Sequence, residues 1–177
     1  MFSTFKPRKY NFVTCSIDRQ NNEDSNSTFS LKGKVECPKC KKKAKVVLGK
    51  TVEHLLTLKA KAKLSCFDGF NYCKTPSCEV VYFNERKILT QKDMHVVVGA
   101  KEGAKPSILC YCFEWSKEKI AKEIEENGTS LALTDIKHKM HTIGCQCEIL
   151  NPSGVCCLGD VSKAIKELKN SSDSILT

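Results

Sequence analysis

Cysteine is the residue that most limits what this chain can fold into. There are twelve, and most stand in close-spaced pairs: Cys37 and Cys40, Cys73 and Cys78, Cys110 and Cys112, Cys145 and Cys147, Cys156 and Cys157. An even count suggests disulfides in a secreted protein. Residues 1–30, however, lack the roughly 7–15-residue apolar run of a secretory leader, and they contain Asp18, Glu23 and Asp24. No stretch approaches the ~18 apolar residues of a membrane span. The expected setting is therefore the reducing cytoplasm, with no membrane partner. There, clustered cysteines read as metal ligands or redox thiols rather than as a disulfide framework.

Apolar residues make up 41 % of the chain and aromatics only 7 %, so its core is modest. Small cores usually need a staple. The net charge of +9 is unevenly spread: residues 31–109 carry 17 basic and 7 acidic side chains, residues 110–177 carry 8 and 10. A basic region ordinarily points to nucleic acid or an acidic partner. Thiolate-bound metal offers another account. A zinc ion held by four thiolates is a dianion, as is an oxidised [2Fe-2S] cluster with four thiolates, and both would lower the real charge.

Residues 1–30 are rich in Asn and Ser and read as a disordered extension. Residues 31–105 read as a small β-rich subdomain. Val46–Leu48, Val80–Phe83 and Val96–Val98 are short runs dominated by β-branched or aromatic residues. Leu55, Leu56 and Leu58 fit either a helical turn or a strand. Residues 99–106 (GAKEGAKP) form a loop and the natural boundary. Residues 106–170 read as a three-helix subdomain, with Ser116, Thr134 and Asp160 as N-caps. Ile120, Ala121 and Ile124 share one face of the first helix; Ile136 and Met140 belong to the second; Val161, Ala164, Ile165 and Leu168 follow helical spacing in the third. Glu148–Gly159 reads as a loop and residues 171–177 as a flexible tail. The fold class expected is α+β.

Cys37-Pro-Lys-Cys40 and Cys73-Lys-Thr-Pro-Ser-Cys78 are two short pairs a few dozen residues apart, the pattern that supplies four thiolates to one tetrahedral ion. A proline in each loop helps set the turn. With all four positions filled by protein the site is closed and structural, and soft thiolates favour zinc. Lys39, Lys41, Lys42, Lys43 and Lys45 surround the knuckle and read as a solvated face that offsets thiolate charge, with a nucleic-acid patch as the rival. Cys66 reads as a core thiol and His54 as a satisfied core histidine. His138 and His141 read as solvated, and His95 has no nucleophile beside it.

Cys110-Tyr-Cys112 is followed after about thirty residues by Cys145, Cys147, Cys156 and Cys157. Two thiolates per iron make a [2Fe-2S] centre, and this spacing suits one better than a second zinc. Both ends of the set precede expected helices, whose N-termini favour an anionic centre.

These residues resemble a known family. Cys110-Tyr-Cys112-Phe113, the helix after it and Thr134–Cys145 look like a bacterioferritin-associated-ferredoxin-type [2Fe-2S] domain. Cys37-Pro-Lys-Cys40, Cys78-Glu-Val-Val-Tyr-Phe-Asn84, Cys110-Tyr-Cys112 and Asn151-Pro-Ser-Gly-Val-Cys-Cys157 together resemble the N-terminal domain of the CopZ-type copper chaperone, over roughly residues 33–169. The resemblance implies zinc at Cys37, Cys40, Cys73 and Cys78, and a [2Fe-2S] cluster at Cys110, Cys112, Cys147 and Cys157. Cys147 fits the family's offset before Asn151-Pro152, while Cys145 fits the simpler ferredoxin spacing, and Cys156 competes with Cys157. The family's M-x-C-x-x-C copper loop does not occur within these 177 residues.

The reading that follows is a one-electron redox module in copper or metal handling, reducing Cu(II) to Cu(I) or delivering electrons to a partner. Tyr111 and the N–H groups of Asn151–Val155 would tune the cluster. Cys145 and Cys156 are soft thiolates that suit Cu(I). The rivals are a copper or cluster carrier without turnover and a zinc-ribbon module binding nucleic acid or protein. No hydrolase triad, phosphate-binding glycine loop or paired catalytic carboxylates are visible.

Overall fold

The computed structural model describes residues 35–173, and the extension expected over residues 1–30 lies outside them. The architecture is α+β. A four-stranded antiparallel sheet takes the order β1 (Lys45–Val46), β2 (Asn71–Tyr72), β3 (Val80–Phe83), β4 (Ile88–Thr90). Between β1 and β2 lie helices α1 (Gly49–Leu55) and α2 (Leu58–Lys61). A two-stranded hairpin, β5 (Ile108–Cys110) with β6 (Trp115–Ser116), opens the second half. Helices α3 (Lys117–Asn127), α4 (Ala132–Ile143), α5 (Cys147–Leu150) and α6 (Leu158–Asp173) follow.

The central strand β3 is buried along its whole length. A regular pleat sends alternate side chains to opposite faces, yet Val81 and Tyr82 join one apolar cluster while Val80 and Phe83 join another. A register shift against β4 between Val80 and Tyr82 accounts for this, since a bulge re-aims the side chains that flank it. The first cluster includes Val52, Leu55, Leu56, Phe70 and Met94; the second holds Cys37, Cys73 and Cys78. β3 thus presses one face on a core and the other on sulfur.

A third cluster belongs to the helical half. Ile120 and Ile124 of α3, Ala132 and Ile136 of α4 and Val161 of α6 bury together with Trp115, Cys110 and Cys157. Ser116 caps α3, its hydroxyl accepting the Lys119 N–H at 3.2 Å. Gly128, at φ 69°, ends that helix and donates to the Ile124 carbonyl.

Several expectations need correction. Val96–Val98 is not a strand, and Leu56 pairs with Met94 in an isolated bridge between α1 and α2. α4 starts at Ala132, before Thr134, and α6 starts at Leu158, which places Asp160 inside its first turn. Part of the expected loop from Glu148 is the short helix α5, so the second half carries three long helices and a fourth short one. α6 runs to Asp173, three residues into the stretch read as a tail. His54 is exposed rather than core. Among the described residues, no helix is long and apolar enough to cross a membrane.

Candidate metal centres

The first sulfur set is assembled by two loops laid against β3. After Cys37, the chain turns back so that the Cys37 N–H donates to the Lys42 carbonyl and the Lys41 N–H to the Cys37 carbonyl, each at 2.9 Å. Lys41 takes φ 58°, the left-handed value that tightens the knuckle. The second loop, Cys73–Cys78, leads directly into β3. Cys37 Sγ lies 3.8 Å from Cys78 Sγ, and Cys40 Sγ lies 3.6 Å from Cys73 Sγ. All four sulfurs fall within 4.8 Å of one another, and among the described residues this is the one such group of three or more His, Cys, Asp or Glu ligands. Cys37, Cys73 and Cys78 are buried, Cys40 half-buried. Four convergent thiols with no open position suit a tetrahedral, closed zinc site.

Two neighbours that sequence reading did not pick out support this set. Thr75 Oγ1 lies 3.3 Å from Cys40 Sγ; its hydroxyl hydrogen bond draws the Cys40 thiol down from its ordinary value to about 6. Burial pushes Cys73 the other way, to about 12, and Cys78 upward as well. Lys101 donates to the carbonyls of Cys73 and Thr75 at 2.7 and 3.0 Å. Its ammonium clamps the loop and faces the sulfurs electrostatically. Thr75 could have been suspected, because it sits between two candidate ligands. Lys101, in a glycine-containing loop 28 residues downstream of Cys73, gives no local signal. Lys39 pairs with Glu79, while Lys41, Lys42, Lys43 and Lys45 are exposed.

The second set draws on four places: Cys110 at the end of β5, Cys112 in the hairpin turn, Cys147 as the first residue of α5, and Cys157 immediately before α6. Cys112 Sγ lies 3.7 Å from Cys147 Sγ. Interaction with Cys157 lowers the Cys110 thiol to about 7, and the same coupling raises Cys157. Burial raises Cys147 to about 12. Cys110, Cys147 and Cys157 are buried and Cys112 is half-buried, whereas Cys145 and Cys156 are exposed.

The Gln146 N–H bonds Cys112 Sγ at 3.4 Å, while the nearby backbone of Cys112 and Phe113 favours the Cys110 thiolate and that of Cys157 favours the Cys147 thiolate. The expected donors in Asn151–Val155 behave differently. The Asn151 N–H bonds the Cys147 carbonyl, while Ser153 and Gly154 donate to the Asn151 side chain and carbonyl, so these groups brace the loop itself. Tyr111 points its hydroxyl away from sulfur, toward Val97 and Gly99. Cys66, read as a core thiol, is disulfide-bonded and only half-buried.

Comparison with known proteins bears on the fold and on its zinc-binding half. Residues 34–95 match the family model of the CopZ zinc binding domain. The copper chaperone CopZ of Archaeoglobus fulgidus is 31 % identical over 123 residues, 70 % of this chain and 58 % of that protein. The chain thus spans little more than half the length of this curated relative. The X-ray structure of the Archaeoglobus fulgidus CopZ N-terminal domain superposes with a TM-score of 0.61 at 29 % identity, covering 73 % of this chain and 96 % of that one. Over these stretches the chain is CopZ-like, and residues 34–95 carry the match to that family's zinc binding domain.

Proposed function

We propose that this chain is a metal-handling redox module: Cys37, Cys40, Cys73 and Cys78 hold a structural zinc ion, and Cys110, Cys112, Cys147 and Cys157 hold a [2Fe-2S] cluster. The observation that carries the second assignment is the contrast between the two sets. The first is one tetrad with every sulfur within 4.8 Å. The second does not meet in such a group: Cys112 Sγ lies 3.7 Å from Cys147 Sγ, and Cys110 is coupled electrostatically to Cys157. Two pairs are what a two-iron centre takes, two thiolates to each metal. On this reading residues 31–105 and 106–170 are the two functional subdomains, with a ferredoxin-like second half.

Such a cluster, when bound, supplies one-electron chemistry. The chain's own contribution is electrostatic. The Gln146 N–H bonds Cys112 Sγ, and the backbone of Cys112, Phe113 and Cys157 favours the Cys110 and Cys147 thiolates; hydrogen bonds to thiolate favour the more negative, reduced state. The buried Cys110 and Cys157 shield one side, while Cys112 leaves an edge open to solvent. The overall reaction proposed is Cu(II) plus one electron giving Cu(I), the electron coming from an external reductant or reductase. The kinship with a copper chaperone supports copper as the substrate.

Metal analysis and spectroscopy of anaerobically purified protein test the proposal. The expected result is one zinc and two irons per chain, with a red-brown colour bleached by dithionite and restored on adding Cu(II). A colourless protein holding zinc alone would sink the redox reading. A second reading, Cu(I) carriage, is favoured by the exposure of Cys145 and Cys156 beside the buried ligands. It expects stoichiometric Cu(I) binding that disappears in the double Cys145→Ser, Cys156→Ser variant.

A further inference from the structure

Every segment that brings a cysteine to the second set is tied to the zinc-binding half by a hydrogen bond or ion pair. Tyr111 stands between Cys110 and Cys112. Its hydroxyl accepts the Gly99 N–H at 2.8 Å and donates to the Val97 carbonyl at 3.0 Å. α5, which begins with Cys147, is held to α1 by the Thr51 hydroxyl donating to the Glu148 carbonyl and by the Lys50–Glu148 ion pair. The loop leading to Cys157 receives the Tyr82 hydroxyl on the Pro152 carbonyl at 2.6 Å. Lys74, next to Cys73, pairs with Asp160 in the first turn of α6 at 2.7 Å.

These ties are unequal. Lys50, Lys74 and Glu148 are exposed, and exposed pairs contribute little. Tyr82 is fully buried on the central strand, and Tyr111 is half-buried against a buried Gly99. Gly99 also packs so tightly that a Cβ there would meet the Ile108 carbonyl oxygen at 2.1 Å, which keeps Val97–Gly99 pressed on β5. Both hydroxyls are single points fixed by rigid rings: Tyr111 stands between two of the cysteines and reaches backbone of the zinc-binding half, and Tyr82 stands on that half and reaches backbone of the loop leading to Cys157.

We propose that Tyr111 and Tyr82 are positioning residues that set the second group of cysteines in register on the zinc-binding sheet. Tyr111 holds the Cys110–Cys112 turn and Tyr82 holds the Asn151–Cys157 loop. The path from the first site is short. Cys78 leads into β3, where Val80 packs beside Cys37 and Cys73 and Tyr82 reaches Pro152. The second centre is therefore built on the first. This inference rests on the reading that the second set holds a cluster, and its test is arranged so that the two fail separately.

The test uses Tyr111→Phe and Tyr82→Phe in the full chain, which remove one oxygen each and keep the ring. In anaerobically purified protein, each variant should keep its zinc but show an altered visible circular dichroism spectrum. Iron transfer from the dithionite-reduced protein to a ferrous chelator, with dithionite in excess, should accelerate on the order of tenfold, the effect of stranding a buried backbone partner. In zinc-loaded, iron-free protein, alkylation of the buried Cys110 by iodoacetamide, followed by mass spectrometry, should accelerate comparably in Tyr111→Phe. Alkylation of Cys157 should do so in Tyr82→Phe. Rates within about twofold of wild type in both variants, where the lost bonds should cost about tenfold, would overturn the proposal. Loss of zinc in step with the change would also overturn it, because the tyrosines would then support the fold at large. If wild-type protein never contains iron, the redox reading fails, and the alkylation rates alone decide the positioning role.

Discussion

Replacing Lys101 with methionine should loosen the first metal site without touching a ligand. The Lys101 ammonium donates to the carbonyls of Cys73 and Thr75 at 2.7 and 3.0 Å, so it closes the loop that carries two of the four sulfurs. Hydrogen bonds from a charged donor contribute about 1.5–3 kcal/mol each. Burial opposes this, since desolvation is the largest influence on Lys101 and lowers its pKa. Methionine also recovers the apolar packing of the stem. The net loss should therefore sit near the low end, about 1.5 kcal/mol, because part of the bond strength repays desolvation. A factor of ten corresponds to 1.4 kcal/mol, so zinc affinity should fall roughly tenfold. Competition against a chromophoric zinc chelator at constant pH measures it, and Lys101→Arg, which keeps donors on a cationic head, should recover most of the loss. An affinity for Lys101→Met within about threefold of wild type, against the tenfold expected, would refute the claim that the clamp holds the site.

Three further outcomes follow from the helical half. Ile120→Ala, at a fully buried position between α3 and α6, should cost about 2–5 kcal/mol in urea unfolding, by transfer and cavity effects. Gly128→Ala should cost about 1 kcal/mol in the same assay, because φ 69° is strained for a residue with a Cβ. Asp135 is held below the ordinary carboxylate range by its hydrogen bonds to Lys139 and to the Trp115 indole N–H. A carboxylate with a depressed folded pKa adds stability above its unfolded pKa near 3.8 and loses it as pH falls through the lower, folded value. Trp115 is the single tryptophan, so melts followed by its fluorescence between neutral and acid pH should show this loss, and Asp135→Asn should flatten it.

The sequence was informative where one local pattern controlled the outcome. Val80–Phe83 reads as a strand and is one; Ser116 reads as a cap, and its hydroxyl accepts the Lys119 N–H. It misled where distant groups did the work. Val96–Val98 is β-branched throughout, yet side chains satisfy its backbone: Gln91 bonds the Val96 carbonyl and the Val98 N–H, and Tyr111 takes the Val97 carbonyl. No neighbouring strand is left a partner there. α4 begins before Thr134 because Ser130 caps the Ala132 N–H while Glu123, from α3, accepts the Leu131 N–H. A contact seven or eight residues away in a neighbouring helix leaves no trace in local spacing. α5 is a single turn, too short for periodicity to reveal. Among the cysteines, pairing along the chain pointed to the tetrad Cys37, Cys40, Cys73 and Cys78, whereas Lys101 and Tyr82 act from remote segments.

Separation along the chain does not explain why one sulfur set is a tight tetrad and the other two pairs. Cys37 and Cys78 stand 41 residues apart and Cys112 and Cys147 stand 35 apart, so both sets close loops of similar length and similar entropy cost. The difference lies in what carries the ligands. Two tight loops on one strand bring four sulfurs to a point, because each pair is already converged by its own turn. The second set has ligands on a hairpin, a one-turn helix and the lead-in to α6, so only the docking of those elements on the sheet brings sulfur to sulfur. Substitutions that shift α5 or α6 should therefore disturb the pairs well before the tetrad. Truncation that removes both helices should leave the first set able to bind zinc, a result that zinc titration of residues 31–105 would check directly.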